Sequence, residues 1–441
     1  MVSESSERFF EWGKRRFPPK SWMVEAAVIV KKAEGSCLTT IDGKRIIDFS
    51  SQWQSNNVGN VHPEVLEASV EALKRYGFLI PALSIVPEAY ELAEKLVEVS
   101  PGKRFSRATY EVSGTEAVEA SVSYALAYKD RPLIISFVKQ YHGMSLGAKN
   151  IGSLSSDVRR FNETFQGGVL FAPYPLTYGI PFKGTPEEYA DFCLWYIEDH
   201  ILKYISRPDR IAGVLFEPII GEGGCWVPPD NFIRGLKKLA DKYDWALICD
   251  EVLVGFGRTG KMWSIEHWNI DVDLMPIGKA LSGGLMPLAG CMGTEEAMGG
   301  TEAYSCSTFG GHPASYAAAL KNIEIIEREK LCDRAARLGE EVLKRMREWV
   351  DEYEIVGDAR GKGFMLAIDM VKDKEKPGMF PENVEVAAKT YYQSIEEGVL
   401  PLGGSGYTHL RVVPPLNIPR ELLDQGLTKM EEAIVKVQKS L

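Results

Sequence analysis

Three short segments of this 441-residue sequence combine residue types that could act together on one small molecule. Lys279 follows an apolar run and is flanked by the small residues Gly278 and Ala280. A desolvated lysine has a lowered pKa and can form a Schiff base with a carbonyl, although Lys279 taken alone fits a solvated surface lysine equally well. Asp250 closes another apolar run. A carboxylate placed there needs a cationic partner, such as a protonated ring nitrogen.

The third segment, Ser113-Gly114-Thr115-Glu116, ends an apolar run and opens a helical pattern. Backbone N–H groups and a hydroxyl at a helix N-terminus can bind a phosphate. By itself, however, the segment fits a plain helix cap better. Together, the three segments require a ligand with a phosphate, a carbonyl and a basic ring nitrogen. Pyridoxal phosphate carries all three groups.

A mixed α/β fold is expected to position these residues. Seven apolar runs are nearly continuous rather than alternating, which predicts strands covered on both faces. They span residues 109–113, 133–138, 168–172, 212–216, 245–249, 274–277 and 288–292. Amphipathic segments between several of them, such as 116–129 and 230–243, predict helices. This alternation is typical of a large α/β domain with a mostly parallel seven-stranded sheet flanked by helices.

The two ends of the chain have a different pattern. Residues 27–49 predict a small antiparallel unit with a turn at Asp42-Gly43. The C-terminal part mixes long charged helices (333–353 and 420–439) with short strands near 364–370 and 409–413. We therefore expect a large domain over residues 71–330 and a small α+β domain built from residues 1–70 and 331–441.

The composition disfavours several classes of function. Lys plus Arg is 51 and Asp plus Glu is 61, so the formal net charge is 51 − 61 = −10, which argues against nucleic acid or an anionic membrane as partner. No apolar run reaches about 18 residues, and the N-terminus has no signal-peptide pattern. The seven cysteines are scattered, with no C-x-x-C pair. We therefore expect a cytoplasmic protein with reduced thiols and no metal site.

Residues 255–260, Gly-Phe-Gly-Arg-Thr-Gly, match the pattern of dinucleotide-binding loops. Such a loop opens a helix and is followed by an acidic residue about 20 positions later. No helical pattern follows here, and Asp271 and Asp273 come only about half that distance after the last glycine. We therefore interpret the segment as a structural glycine loop, and an NAD-dependent oxidoreductase is the less favoured hypothesis.

Motifs spread over nearly the whole chain resemble class III (ω-amino acid type) aminotransferases of the pyridoxal phosphate fold type I superfamily. In chain order they are Asp42-Gly43-Lys44-Arg45, His62-Pro63-Glu64-Val65, Tyr141-His142-Gly143, Glu217-Pro218, Asp250-Glu251-Val252, residues 255–260, Thr308-Phe309-Gly310-Gly311, Arg360-Gly361 and residues 411–416. The resemblance implies transfer of an amino group from an amine or an ω- or α-amino acid to a keto acid by a ping-pong mechanism. It also explains the glycine loop, which belongs to the family signature.

The resemblance implies a role for each cofactor-binding residue. Lys279 would hold pyridoxal phosphate as a Schiff base and then move a proton during the reaction, and Asp250 would keep the ring nitrogen protonated. Val252 and Tyr141 would face the two sides of the ring, although Tyr141 also fits a core aromatic. The remaining cofactor contacts would be Ser113, Gly114, Thr115, His142, Glu217 and Thr308. Thr308 would reach the phosphate bound by a neighbouring subunit, which implies an obligate homodimer with shared active sites.

Three further residues are implied to bind the substrate. Arg411 would grip the α-carboxylate, for which the fork of a guanidinium is suited. Glu222 matches the switch glutamate of the family, which pairs with the arginine while an ω-amine binds and releases it for the keto acid. Trp53 falls where the family places a pocket residue and suggests an apolar wall, although core packing is an alternative.

Two positions depart from the family pattern. Ornithine and 4-aminobutyrate aminotransferases carry an arginine after the glycine of the aromatic-x-Gly motif, where it binds the distal carboxylate of the acceptor. Here that residue is Met144, so we predict pyruvate or another monocarboxylate keto acid over 2-oxoglutarate, similar to taurine–pyruvate and amine–pyruvate types. Leu253 replaces a glutamine that bonds the phenol oxygen of the cofactor. The alternative function is a racemase or epimerase of the same family, since one cofactor site can support several chemistries.

Overall fold

The computed structural model describes residues 4–19, 21–159, 167–181, 183–303, 305, 307–404 and 406–441. The strands, numbered in chain order, are β1 Val30–Glu34, β2 Cys37–Thr40, β3 Arg45–Asp48, β4 Arg107–Glu111, β5 Leu133–Phe137, β6 Val169–Ala172, β7 Ile211–Phe216, β8 Ala246–Cys249, β9 Leu274–Ile277, β10 Ala289–Gly293, β11 Val356–Lys362, β12 Met365–Met370, β13 Val399–Leu400 and β14 His409–Val412. The α-helices span Glu4–Arg16, Trp22–Glu25, Pro63–Tyr76, Pro87–Glu98, Gly114–Lys129, Leu146–Ile151, Ser156–Arg159, Pro186–Trp195, Asp230–Tyr243, Pro313–Arg328, Leu331–Glu352, Pro381–Glu397 and Arg420–Ser440, and the helix that ends at Trp195 continues in wider turns as Tyr196–Ile205.

The main sheet has seven strands in the order β4-β10-β9-β8-β7-β5-β6. The neighbours from β9 to β6 pair in parallel, and β10 runs antiparallel to both β9 and β4. Every residue of β7, β8 and β9 is buried, as expected for strands covered by helices on both faces. The predicted α/β fold with a mostly parallel seven-stranded sheet is therefore confirmed.

Helix boundaries follow from local chemistry. The helix Gly114–Lys129 begins with a capping box, in which Glu116 accepts from the backbone N–H of Ser113, and ends at Asp130 with φ 49°, and it packs against β9 and β10. The helix Asp230–Tyr243 buries apolar residues spaced three or four apart along one face. These elements place helix N-termini at the same end of the main sheet as the C-terminal ends of its parallel strands.

A four-stranded sheet, β1-β2-β3-β13, joins the two ends of the chain. In it Val399 of β13 pairs in parallel with Ile47 of β3. A third sheet, β11-β12-β14, is antiparallel and carries Arg411 in its last strand. The division into residues 1–70, 71–330 and 331–441 stays a prediction.

The glycine loop at residues 255–260 forms turns and opens no helix. Gly260 has φ 92°, and a Cβ there would lie 2.8 Å from Cβ of Ala336, so close packing requires glycine. Arg258 is buried in this loop, and its NH1 donates to the carbonyl of Pro414 at 2.5 Å. The loop therefore connects the sheet domain to the C-terminal part of the chain and does not form a dinucleotide site.

Within the described residues, no helix is long and apolar enough to cross a membrane. The cysteines at 37, 193, 225, 249 and 291 are buried and unbridged, and Cys332 is partly buried. Cys306 lies outside the described residues. The predicted cytoplasmic location stays a prediction.

Candidate active site

One cavity of about 510 Å³ lies where helix N-termini and the C-terminal ends of the central strands meet. Its lining contains every predicted cofactor-binding residue except Thr308, together with Met144 and Leu253. The lining residues are Ser113, Gly114, Thr115, Tyr141, His142, Gly143, Met144, Glu217, Asp250, Val252, Leu253 and Lys279. Residues from five separate segments therefore converge on one space of the size of a small ligand.

Asp250 follows β8 directly and is fixed by three hydrogen bonds. Its N–H donates to the carbonyl of Phe216 at 2.9 Å, and its Oδ1 accepts from the N–H of Val252 at 3.0 Å. Its Oδ2 lies 2.6 Å from Nδ1 of His142. The carboxylate is 4% exposed. A buried, oriented carboxylate of this kind can hold the proton of a ring nitrogen.

Lys279 follows β9 and opens a short helical turn with φ 43°. Burial lowers the pKa of Lys279 below its ordinary value, while Asp250, Glu222 and Glu217 act in the opposite direction. A larger fraction of neutral amine makes this lysine a better nucleophile. The structure thus places it in the cavity rather than on the solvated surface.

A ligand can approach the backbone closely at the N-terminus of the helix Gly114–Lys129. A Cβ at Gly114 would lie 2.6 Å from Cγ1 of Val252, so no larger residue fits. Thr115 Oγ1 lies 2.6 Å from Oγ of Ser145, the cap of the following helix Leu146–Ile151. Position 143 must also be glycine, because a Cβ there would lie 2.3 Å from Thr115 Oγ1. The hydroxyls and free N–H groups form a cup suited to a phosphate.

Glu217 connects two loops of the site. Its Oε1 accepts from the N–H of Tyr141 at 2.8 Å and its Oε2 from the N–H of Gly221 at 2.7 Å. Burial, with Asp250 nearby, raises the pKa of Glu217 to about 7 against the effect of His142 and the two N–H groups. Burial likewise raises the pKa of Tyr141 to about 12. Glu217 thereby fixes the backbone of Tyr141 and the loop that carries Glu222.

Arg411 and Glu222 form a buried ion pair beside this cavity. Arg411 NH1 lies 2.8 Å from Glu222 Oε2, and their side chains are 0% and 5% exposed. Burial acts to raise the pKa of Glu222, but Arg411 and two further donors outweigh it, so the pKa lies below its ordinary value. Those donors are Trp53, whose Nε1 donates to Oε2 at 2.7 Å, and Tyr407, whose hydroxyl donates to Oε1. The sequence analysis did not predict this polar contact of Trp53, and the role of Trp53 in a substrate pocket stays a prediction.

Thr308, Met144 and Leu253 differ in whether they are exposed and whether they line the cavity. Thr308 is exposed and lies away from the cavity lining of its own chain, so its role across a subunit boundary stays a prediction. Met144 lines the cavity and is 48% exposed. Leu253 is buried, and a Cβ at Gly221 would lie 2.5 Å from its Cδ2. An apolar side chain thus occupies the position at which the family resemblance led us to expect a glutamine.

Two residues were missed by the sequence analysis. Ser145 is a helix cap whose position beside Thr115 depends on the fold, although a serine before a helical pattern is a readable signal. Tyr407 lies four positions before Arg411 and contacts Glu222 across 185 residues of sequence. No local pattern distinguishes it from a core tyrosine.

The residues fit a phosphorylated pyridine aldehyde. The cavity combines an amine with a lowered pKa, a fixed buried carboxylate and a glycine-lined helix N-terminus. These three groups match a carbonyl, a basic ring nitrogen and a phosphate.

Comparisons with known proteins point to the same chemistry. The family model described as aminotransferase class-III matches residues 20–434. A leucine/methionine racemase of Thermococcus litoralis is 34% identical over 98% of this chain and 96% of that protein. A probable 4-aminobutyrate aminotransferase of Bacillus subtilis is 32% identical over 91% and 92% of the two chains. The solved structure of a taurine:2-oxoglutarate aminotransferase from Bifidobacterium kashiwanohense, in complex with pyridoxal phosphate and glutamate, superposes with a TM-score of 0.91 at 26% identity over the full length of both chains.

Proposed function

Because the chain belongs to the class III aminotransferase family, whose cofactor is pyridoxal phosphate, we propose that it moves an amino group from an amine or amino acid to a monocarboxylate keto acid. The observation that carries this proposal is the buried ion pair of Arg411 with Glu222. An arginine paired with its own glutamate can accept a substrate without a carboxylate while the pair is closed. It can bind the carboxylate of a keto acid once the glutamate has moved.

The cofactor contacts are part of the proposal. When bound, pyridoxal phosphate supplies a carbonyl for the amine and a ring that accepts carbanion charge. Gly114 and Thr115 would hold its phosphate, and Val252 and Tyr141 would confine its ring. Asp250 would keep a proton on the ring nitrogen, while His142 at 2.6 Å keeps the carboxylate oriented.

Lys279 would perform the proton transfers. Burial lowers the pKa of Lys279 below its ordinary value, which increases the fraction of its Nζ present as free amine. With the cofactor bound, the Nζ atom of Lys279 would accept a proton from the substrate carbon and then donate it to the carbonyl carbon of the cofactor.

The acceptor proposed is pyruvate or another monocarboxylate keto acid. Its support is Met144, an apolar side chain that lines the cavity where certain relatives place an arginine. The taurine aminotransferase with a similar fold is named for 2-oxoglutarate, so the side chain at position 144, and not this comparison, is the basis of the proposal. Much faster half-reactions with 2-oxoglutarate than with pyruvate would refute it.

A racemase or epimerase is the second candidate, because a relative 34% identical over nearly the whole chain is a leucine/methionine racemase. A racemase binds the same α-carboxylate before and after reaction, so an arginine covered by a glutamate would only hinder it. The closed pair of Arg411 and Glu222 therefore favours amino transfer.

A panel of amine and amino acid donors separates the two functions. We expect loss of the cofactor absorbance on addition of donor alone and its recovery with pyruvate, together with formation of alanine. Chiral analysis of each amino acid is carried out with and without pyruvate. Inversion of the amino acid in the absence of any keto acid, without formation of a keto product, would show a racemase instead.

We also propose a homodimer in which each active site receives Thr308 from the other chain. Its support is the exposure of Thr308 and of Phe309, which is 59% exposed on this chain. Light scattering after size-exclusion chromatography should give about twice the 49.1 kDa chain mass. A monomer with full activity would refute the shared site.

A further inference from the structure

Glu222 accepts hydrogen bonds from two side chains besides Arg411. Trp53 Nε1 donates to its Oε2 at 2.7 Å, and the Tyr407 hydroxyl donates to its Oε1. We propose that Trp53 and Tyr407 form a latch that keeps Glu222 on Arg411. These two positioning residues then set how readily the site admits a carboxylate. The inference rests on the proposed function, in which Glu222 must move before a keto acid can bind.

Arg411 is inaccessible while the latch is closed. Its side chain is 0% exposed, and its NH1 atom is taken by Glu222 and by the carbonyl of Gly221 at 3.4 Å. The Nε and NH2 atoms have no hydrogen-bond partner among the described residues. Two unsatisfied buried donors are costly, and an incoming carboxylate would satisfy them. Arg411 thus has two donors that a second anion could satisfy. In the proposed latch, such an anion reaches them only after Glu222 has moved.

The latch raises the cost of that displacement. Glu222 must give up its bonds to Trp53 and Tyr407 as well as its bond to Arg411. A ligand that binds only the open state has its apparent affinity reduced by the fraction of molecules that are open. Carboxylate ligands carry this penalty, whereas a ligand without a charge binds with Glu222 in place. The latch therefore biases the resting site toward donors that lack a carboxylate at this position.

The backbone that carries Trp53 is fixed to the strand that carries Arg411. Ser51–Gln54 form a left-handed turn, with φ between 44° and 64° at all four residues. Residues with a Cβ adopt this conformation at a cost in free energy, and such strain persists only where the surroundings determine it. Here Ser51 Oγ donates to the carbonyl of Val413 at 2.6 Å. Since Val413 follows β14 directly, the turn holds the indole at a set distance from Arg411.

The test measures ligand binding to the holoenzyme. Trp53→Phe removes the indole N–H and keeps an aromatic ring, and Tyr407→Phe removes one oxygen atom. Isothermal titration with propionate reports the carboxylate affinity, and propionamide serves as an uncharged ligand of the same shape. Because each variant removes one hydrogen bond to a carboxylate, we expect about tenfold tighter propionate binding in each. Propionamide binding should not change.

Tyr178→Phe is the matched control, because the Tyr178 hydroxyl has no partner among the described residues. This variant should leave the affinities for propionate and propionamide unchanged.

Two outcomes would overturn the latch. Propionate affinity that is unchanged or weaker in Tyr407→Phe, with an unaltered melting temperature, would show that the hydroxyl does not restrain Glu222. An equal gain for propionate and propionamide would show a general change of the pocket instead. If Trp53→Phe does not fold, Tyr407→Phe decides alone. Tighter propionate binding in a protein that transfers no amino group would retain the latch and reject the aminotransferase, whereas amino transfer without this gain would reject the latch alone.

Discussion

We predict that the choice of acceptor keto acid depends on a single side chain that can be exchanged. Met144 lines the cavity and is 48% exposed. Replacement by arginine would place a guanidinium where a second carboxylate of the acceptor could bind it. We therefore expect Met144→Arg to shift the preference from pyruvate toward 2-oxoglutarate. Met144→Leu has the same apolar character as the native residue and is the matched control.

The magnitude follows from the exposure of this position. Two unit charges about 4 Å apart attract by about 1 kcal/mol in water and by about 4 kcal/mol at an effective dielectric constant of 20. Residue 144 lies between these limits because half of its side chain is exposed. Ordering a long flexible arginine offsets part of the gain. A net stabilisation of about 1–2 kcal/mol remains, which corresponds to about a five- to thirtyfold change in kcat/KM.

The assay compares the second half-reaction of the aminated enzyme with the two keto acids. Stopped-flow absorbance of the cofactor gives a rate constant for each acceptor. The ratio of 2-oxoglutarate to pyruvate should rise by about five- to thirtyfold in Met144→Arg and remain constant in Met144→Leu. An equal rise in both variants, or none in the arginine variant, would refute the role assigned to residue 144.

Three further predictions address the nucleophile, the strained turn and a buried acid. Lys279→Ala should abolish turnover but retain weak cofactor binding in absorbance titrations; retained turnover would contradict the assignment. Gln52 has φ 50°, so Gln52→Gly should be more stable than Gln52→Ala by about 1 kcal/mol in urea unfolding, the reverse of the usual order. Burial raises the pKa of Glu251 to about 8, so the folded protein retains a proton that the unfolded chain releases above about pH 4.5. The free energy of unfolding should therefore fall as pH rises from 5 to 8, and Glu251→Gln should flatten this dependence in urea titrations.

Much of the fold could be predicted from apolar runs. The run at residues 274–277 coincides with β9, and the segment 230–243 coincides with a helix, since continuous burial and helical spacing leave clear patterns. The first sheet strand was predicted at 109–113 but is β4, Arg107–Glu111. The strand β11 was missed because Val356–Lys362 contains two glycines and three charged residues. Its side chains include Arg360, which is buried and pairs with Asp358 and Asp369 at 2.6 Å.

The site could be predicted only where function requires a residue type at a strand or helix end. Asp250 and Gly114 stand directly beside such ends and lie in the cavity. The contacts of Tyr407 could not be predicted, because they depend on how β14 is placed against the loop of Glu222. The left-handed turn at Ser51–Gln54 was also beyond prediction, since none of its four residues is the glycine that usually marks positive φ.

The net charge of −10 gives little information about this site, because the charges at the site are nearly balanced among themselves. Arg411 is matched by Glu222 at 2.8 Å, and Asp250 acts on Lys279 to raise its pKa. A buried arginine without a partner would be destabilising, so an empty cationic pocket waiting for a carboxylate is not a stable arrangement. In the proposed function, pairing with a movable glutamate avoids this problem, because the arginine then has an anion in every state of the cycle. How readily Arg411 would admit a carboxylate then depends on how strongly Trp53 and Tyr407 hold Glu222 rather than on the overall charge, whereas residue 144 concerns the second carboxylate of the acceptor.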